Sequence, residues 1–153
     1  MGLKGRLNKF FQRSRDEQGL FISAGCLLIA IRTGLAIFSF ERVRMILSFL
    51  AKDMNTEKYS GWEGSTVERI VWAVSTASRH LPVKMNCFPR ALATQVLLSR
   101  QNIASELKIG VSRMGADQFE AHAWVVCNGR VIMGELDDLD RFKPLDQLDK
   151  KLL

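Results

Sequence analysis

The stretch from Asn86 to Arg100 is NCFPRALATQVLLSR, and it predicts a helix with a cysteine at its start. Asn86 is a favoured N-cap residue. Pro89 falls in the first turn, where its missing N–H is tolerated. Cys87 is therefore expected at the positive end of the helix dipole, which favours a thiolate over a thiol. This position makes Cys87 a candidate nucleophile.

The sequence before Asn86 predicts helices. Hydrophobic spacing indicates three of them, at about 3–17, 20–36 and 40–52. A polar loop over about 53–64 follows, and Ser65 with Glu68 forms a capping box that begins another helix. The apolar stripe of that helix comprises Val67, Ile70, Val71 and Val74. We expect a helical N-terminal region, 1–62, and a core, 63–153, that form one compact unit.

After the Cys87 helix the pattern changes to that of strands. Alternation with polar residues or glycine indicates a first strand through Leu107, Ile109 and Val111. Residues 119–126 and 130–135 predict two more strands, joined by Asn128-Gly129, a strong type I′ hairpin signal. Helices followed by an antiparallel sheet predict the α+β class.

The hairpin also predicts which residues face each other. With a two-residue turn, Trp124 pairs with Met133 and His122 pairs with Glu135. Opposed residues point to the same face with Cβ atoms about 5 Å apart, so Glu135 would hold a ring N–H of His122. The rest of that face is apolar, and we expect it to pack against the Cys87 helix. If the register slips, the acid is one of two alternatives, Asp137 or Asp138.

These side chains predict covalent catalysis. The Cys87 thiolate would attack a carbonyl group, and His122 would protonate the leaving amine. Glu135 would keep the imidazole oriented. The backbone N–H of Cys87 is a candidate oxyanion donor, with Asn86 or Trp124 as supporting donors.

Composition narrows the class of protein. The chain has 153 residues and a net charge of +6, and none of its three cysteines has CxxC spacing. This pattern argues against a disulfide framework or structural zinc and suggests a cytoplasmic setting. Cys26 and Cys127 are expected to be small buried residues. The chemistry needs no metal or cofactor, the chain has no phosphate-loop motif, and no motif indicates nucleic-acid binding.

The N-terminal segment is basic and amphipathic. Residues 3–17 are a candidate for peripheral membrane contact, for a partner contact, or for a helix docked on its own domain. The apolar run from Gly19 to Ile31 is interrupted by Arg32. Because a spanning helix needs about 20 apolar residues, we expect a core helix there.

Two segments resemble the leader-peptide peptidases of lasso-peptide biosynthesis, a branch of the transglutaminase-like cysteine protease superfamily. They are CFPRALATQVLLSRQNIASELKIGV and EAHAWVVCNGRVIMGELDDLDRFKPL. The resemblance is strong over 87–145 and looser through the helical half. It implies a transglutaminase/papain-like core over 63–153, with Cys87 as nucleophile and His122 as base. In this family the third member of the catalytic triad is normally an aspartate shortly after the hairpin, and Glu135 is the nearest acid here.

The resemblance also implies a substrate and partners. The substrate would be a ribosomally made lasso-peptide precursor, whose leader is removed before a cyclase closes a macrolactam. This chain resembles the split form of the family, which implies a separate leader-recognition protein. Two alternatives stay open: a transglutaminase-type acyl transferase, and a non-catalytic adaptor that binds precursor or membrane.

Overall fold

The described part of the chain consists of three helices followed by a four-stranded antiparallel sheet. The computed structural model describes residues 14–38, 64–114 and 118–145. The helices are α1 (Arg15–Ile37), α2 (Gly64–His80) and α3 (Cys87–Arg100). The strands are β1 (Glu106–Met114), β2 (Gln118–Cys127), β3 (Arg130–Met133) and β4 (Lys143–Pro144), with a 3₁₀ helix at Leu139–Arg141. The α+β prediction is confirmed, whereas the predicted helix at 40–52 and most of that at 3–17 lie outside the described residues.

Helix α1 begins earlier than predicted. Ser14 is its N-cap, and the Ser14 hydroxyl accepts a hydrogen bond from the Glu17 N–H at 3.3 Å. The predicted break between 17 and 20 is therefore wrong. A single glycine, Gly19, costs a helix only about 1 kcal/mol, which the flanking apolar turns offset.

One face of α1 belongs to the core. Ala24, Leu28 and Ile31 are buried in one apolar cluster with residues of α2 and α3. On the outer side, Ile22 and Ile29 are 56% and 50% exposed. Among the described helices, α1 is also the one long and apolar enough to cross a membrane, a property that core helices of soluble proteins share.

Helix α2 follows its predicted pattern with two differences. It begins at Gly64, so Ser65 lies within the first turn and not at the N-cap. Its buried residues are Val67, Ile70, Ala73, Val74 and Ala77. Val71 is only partly buried because it lines a cavity at the end of the sheet.

The β2–β3 hairpin has the predicted turn but not the full predicted register. Asn128 and Gly129 have φ angles of 49° and 76°, as a type I′ turn requires. The first pairs agree with the prediction, but a bulge between Val125 and Val126 shifts the ladder. Met133 therefore pairs with Val125, and the predicted pairing with Trp124 is wrong.

The sheet has the order β3-β2-β1-β4, and its two faces have different neighbours. Ala123, Val125 and Met133 belong to the cluster that includes the helices. Because successive strand residues point to opposite faces, His122 and Trp124 share the other face. The expectation that the apolar residues of the His122 face pack against the Cys87 helix is therefore wrong, although His122 itself lines a cavity together with Cys87.

Candidate active site

Cys87 is the first residue of α3, as predicted, and its side chain is partly buried. Asn86 occupies the N-cap with an extended backbone, but its side chain makes no capping hydrogen bond. The predicted N-cap position is confirmed, and the helix begins where predicted. The Asn86 side chain therefore does not occupy the first-turn N–H groups beside Cys87.

His122 is held by the main chain of the segment that follows β3. Its Nε2 atom lies 2.7 Å from the carbonyl oxygen of Gly134. A carbonyl oxygen can only accept, so Nε2 carries the hydrogen and Nδ1 is the basic nitrogen of the neutral ring. The ring also stacks beside Trp124, at a centroid distance of 6.2 Å, and against Phe142, at 5.3 Å. These contacts fix both the tautomer and the ring plane.

Gly134 can place its carbonyl group there because it is glycine. Its φ angle is 82°, a left-handed conformation that other residues adopt at a cost. A Cβ atom at this position would lie 2.6 Å from the Ala123 carbonyl oxygen. Sequence reasoning did not assign Gly134 a role, although a glycine directly after a strand was a signal for such a turn.

Gly110 makes room on the other side of the histidine. It pairs with His122 across β1 and β2. A Cβ atom on Gly110 would lie 2.9 Å from Cη2 of Trp124 and 3.0 Å from Cβ of Phe142. Its absence lets both aromatic rings pack beside the imidazole.

The structure does not bring Glu135 to His122. Strand β3 ends at Met133, and the register shift places the Gly134 carbonyl at the ring nitrogen. Glu135 is exposed and lines the adjacent cavity, and it has no hydrogen bond or ion pair with any other described residue. The predicted His122–Glu135 contact is wrong because the adjacent β2 residues Val126 and Val125 pair with Val131 and Met133, which leaves an extra residue on β3.

Neither of the two alternative acids has a hydrogen bond with His122 among the described residues. Asp138 forms an ion pair with Arg141, whose Nε lies 2.6 Å from the carboxylate. Arg141 also pairs with Glu120 at 2.7 Å and lies over the Phe142 ring. This arrangement ties the segment after β3 to the sheet. Asp137 is exposed, and it is not among the residues that line the cavity.

Cys87 and His122 meet at a cavity of about 290 Å³ where β3 ends. The described residues that line it are Val71, Ser75, Cys87, Arg90, His122, Ile132, Met133, Gly134, Glu135 and Leu136. Within these residues no hydrogen bond joins Cys87 to His122, which is common in enzymes without substrate. The described lining includes neither Asn86 nor Trp124, and their roles as supporting oxyanion donors stay predictions.

The other cysteines and the second histidine are outside this cavity. Cys127 is buried, its thiol donates to the Ala104 carbonyl oxygen at 3.3 Å, and burial raises the pKa of that thiol. Cys26 is exposed on α1, so the expectation that it is buried is wrong. His80 ends α2, with Nδ1 2.7 Å from the Thr76 carbonyl oxygen. No group of three or more metal-ligating side chains occurs across the described ranges.

A larger cavity lies among the three helices and lacks this chemistry. Its volume is about 590 Å³, and its described lining, from Arg15 to Gln101, contains neither cysteine nor histidine. The smaller cavity at Cys87 is therefore the candidate active site.

Cys87 lies at a helix N-terminus and shares a cavity with an oriented histidine. These features define a site of the cysteine-nucleophile class, which acts on acyl groups. Residues 27–147, most of the chain, match the family model described as Transglutaminase-like superfamily. The chain belongs to this superfamily, which includes cysteine proteases and acyltransferases. No significant match was found among curated proteins or among solved structures.

Proposed function

We propose that this protein is a cysteine endopeptidase that removes the leader peptide from a ribosomally made lasso-peptide precursor. The observation that carries a covalent cysteine mechanism is the cavity shared by Cys87 and His122. Membership of the transglutaminase-like superfamily supports the reaction class. The narrower assignment rests on the resemblance of 87–145 to the lasso-peptide leader peptidases.

In the proposed mechanism Cys87 attacks the carbonyl carbon of the scissile peptide bond. Nδ1 of His122 takes the thiol proton and then gives it to the leaving amine, while Nε2 donates to the Gly134 carbonyl throughout. The acyl group stays on Cys87 as a thioester until water releases it. The backbone N–H of Cys87 stabilises the oxyanion.

The proposal includes partners and a location. A separate leader-recognition protein presents the precursor, and a cyclase uses the amine that cleavage frees. The reaction takes place in the cytoplasm, where Cys87 stays reduced. Residues 3–17 supply a peripheral contact with the membrane surface or with a partner, which their basic and apolar side chains suit.

Mass spectrometry of the linear precursor, with its leader-recognition protein and this protein, tests the function. Wild type is expected to release an intact leader, and Cys87→Ala is expected to release none. Cys26→Ala is the matched control, because it removes an exposed cysteine outside the cavity and should cleave like wild type.

The same experiment separates the rival functions. A mass gain on an added primary amine, without free leader, would identify acyl transfer from the Cys87 thioester. Precursor binding that Cys87→Ala leaves intact, without any covalent product from wild type, would identify an adaptor. Either result would overturn the peptidase proposal.

A further inference from the structure

Arg90 is the one arginine or lysine in the described lining of the Cys87 cavity. It lies three residues after Cys87 in α3, so both side chains leave the same helix face, with Cβ atoms about 5–6 Å apart. The guanidinium group is therefore within reach of a group bound next to the thiol.

The hydrogen-bonding capacity of Arg90 is largely unused. Its Nε atom is buried and has no hydrogen-bond partner. Within the described part of the chain, the side-chain hydrogen bond of Arg90 runs from Nη2 to the Met133 sulfur, at 3.6 Å, and a thioether is a weak acceptor. Within the described residues Arg90 forms no ion pair, although Glu135 lines the same cavity. Arg90 as a whole is partly buried, but a buried N–H group without an acceptor is costly, so Nε is expected to have a partner when the site is occupied.

We propose that Arg90 is a specificity-determining residue that binds a carboxylate of the substrate beside the bond attacked by Cys87. Guanidinium presents a planar fork of donors that matches a carboxylate in two parallel hydrogen bonds. A neutral amide cannot accept both bonds with the same strength. The inference rests on the proposed role of Cys87, and it adds that acidic side chains near the scissile bond favour binding.

Alkylation of Cys87 by iodoacetate and by iodoacetamide tests this inference. Each reagent forms a thioether with the Cys87 sulfur, with loss of iodide and release of the thiol proton to solvent. The two reagents differ in that one carries a carboxylate and the other a neutral amide. The iodoacetate-to-iodoacetamide rate ratio is measured at Cys87 and, by peptide mass, at exposed Cys26 in the same molecule.

The rate ratio at Cys87 is expected to exceed that at Cys26 by about tenfold, the effect of one charge-assisted hydrogen-bond pair. Arg90→Gln should lower it to the ratio of Cys26, and Arg90→Lys should keep part of it. Arg100→Gln is the matched control, because it removes an exposed positive charge from the last residue of α3. Both Arg90 variants are checked for cooperative thermal unfolding. If Arg90→Gln does not fold, the test rests on Arg90→Lys, which retains the charge and should keep only part of the ratio.

Failure of this inference differs from failure of the proposed function. Rapid alkylation of Cys87 with a ratio equal to that of Cys26 would overturn the role of Arg90 and leave the nucleophile in place. The same holds if Arg90→Gln keeps the wild-type ratio. If Cys87 reacts with neither reagent faster than Cys26 does, the nucleophile and the carboxylate site are both overturned.

Discussion

The Nε2 atom of His122 donates a hydrogen bond to the carbonyl oxygen of Gly134 at 2.7 Å. In a nucleophile–base pair, the group that holds the second ring nitrogen decides which nitrogen can accept a proton. Here that group is a main-chain carbonyl, positioned by the left-handed conformation of a glycine. The orientation of the base therefore depends on backbone geometry directly after β3.

Gly134→Ala is expected to reduce both stability and cleavage. The new Cβ would lie 2.6 Å from the Ala123 carbonyl oxygen, so the segment must shift and move its own carbonyl away from His122. Strain of this kind costs about 1–3 kcal/mol. Gly129→Ala is the control, because Gly129 also has a positive φ but has nothing within 4 Å of an added Cβ. Thermal unfolding and cleavage rates are measured for both variants. An equal loss of activity in the two variants would contradict this account.

Glu135→Gln is expected to retain cleavage within a few fold of wild type. The His122 nitrogen that a catalytic carboxylate would hold is already hydrogen-bonded to Gly134, and Glu135 has no hydrogen bond or ion pair with a described residue. Single-turnover cleavage rates at saturating enzyme provide the measurement, with Asp137→Asn as a control for lost surface charge. A drop of about a hundredfold or more, the size of a general acid–base contribution, would mean that the Glu135 carboxylate reaches the ring during the reaction.

The sequence predicted the two reactive side chains better than the contacts around them. Cys87 was predicted from a strong helix start, and the first pairs of the hairpin were predicted from the Asn128-Gly129 turn. Both of these signals are local in the sequence. The register shift between Val125 and Val126 had no local signal in the sequence. It moved every later residue by one position relative to β2, which is why Glu135 was assigned a contact that the Gly134 carbonyl makes.

His122→Gln is expected to abolish cleavage without loss of folding. A glutamine amide can still donate to a carbonyl group but cannot take a proton from Cys87. The loss of a general acid–base group lowers rates by about 10²–10⁴-fold. Alkylation of Cys87 by iodoacetamide, followed between pH 5 and 9, should lose its wild-type profile in this variant. His80→Gln, at the end of α2, serves as control, and an unchanged profile in His122→Gln would exclude His122 as the partner of Cys87.

Burial of Cys127 predicts a loss of stability at alkaline pH. Desolvation raises the pKa of its thiol above the ordinary value of 9.0, so the folded state holds the proton more tightly than the unfolded state. The stabilisation is fully present below the pKa that the thiol has in the unfolded protein. It is lost as the pH rises through the pKa of the thiol in the folded protein. Cys127→Ala should flatten this decline relative to wild type in urea unfolding between pH 7 and 10. Parallel declines in the two proteins would show that other groups cause the alkaline loss.

Deletion of residues 1–13 should separate surface binding from chemistry. The deletion removes most of the basic amphipathic segment but keeps Ser14, whose hydroxyl caps α1, and the core contacts of Leu28 and Ile31. Binding to anionic vesicles is expected to weaken and to become less sensitive to salt, because four of the removed side chains are basic: Lys4, Arg6, Lys9 and Arg13. The alkylation rate of Cys87 should stay unchanged.

The exposed face of α1 offers the competing explanation for any vesicle binding. Ile22→Ser and Ile29→Ser remove apolar side chains that are about half exposed, so folding should tolerate both. If vesicle binding survives the deletion but is lost in these variants, the contact belongs to α1 and not to the N-terminal segment. If binding survives in all of them, the basic segment is an ordinary surface, and the membrane contact proposed for residues 3–17 is wrong.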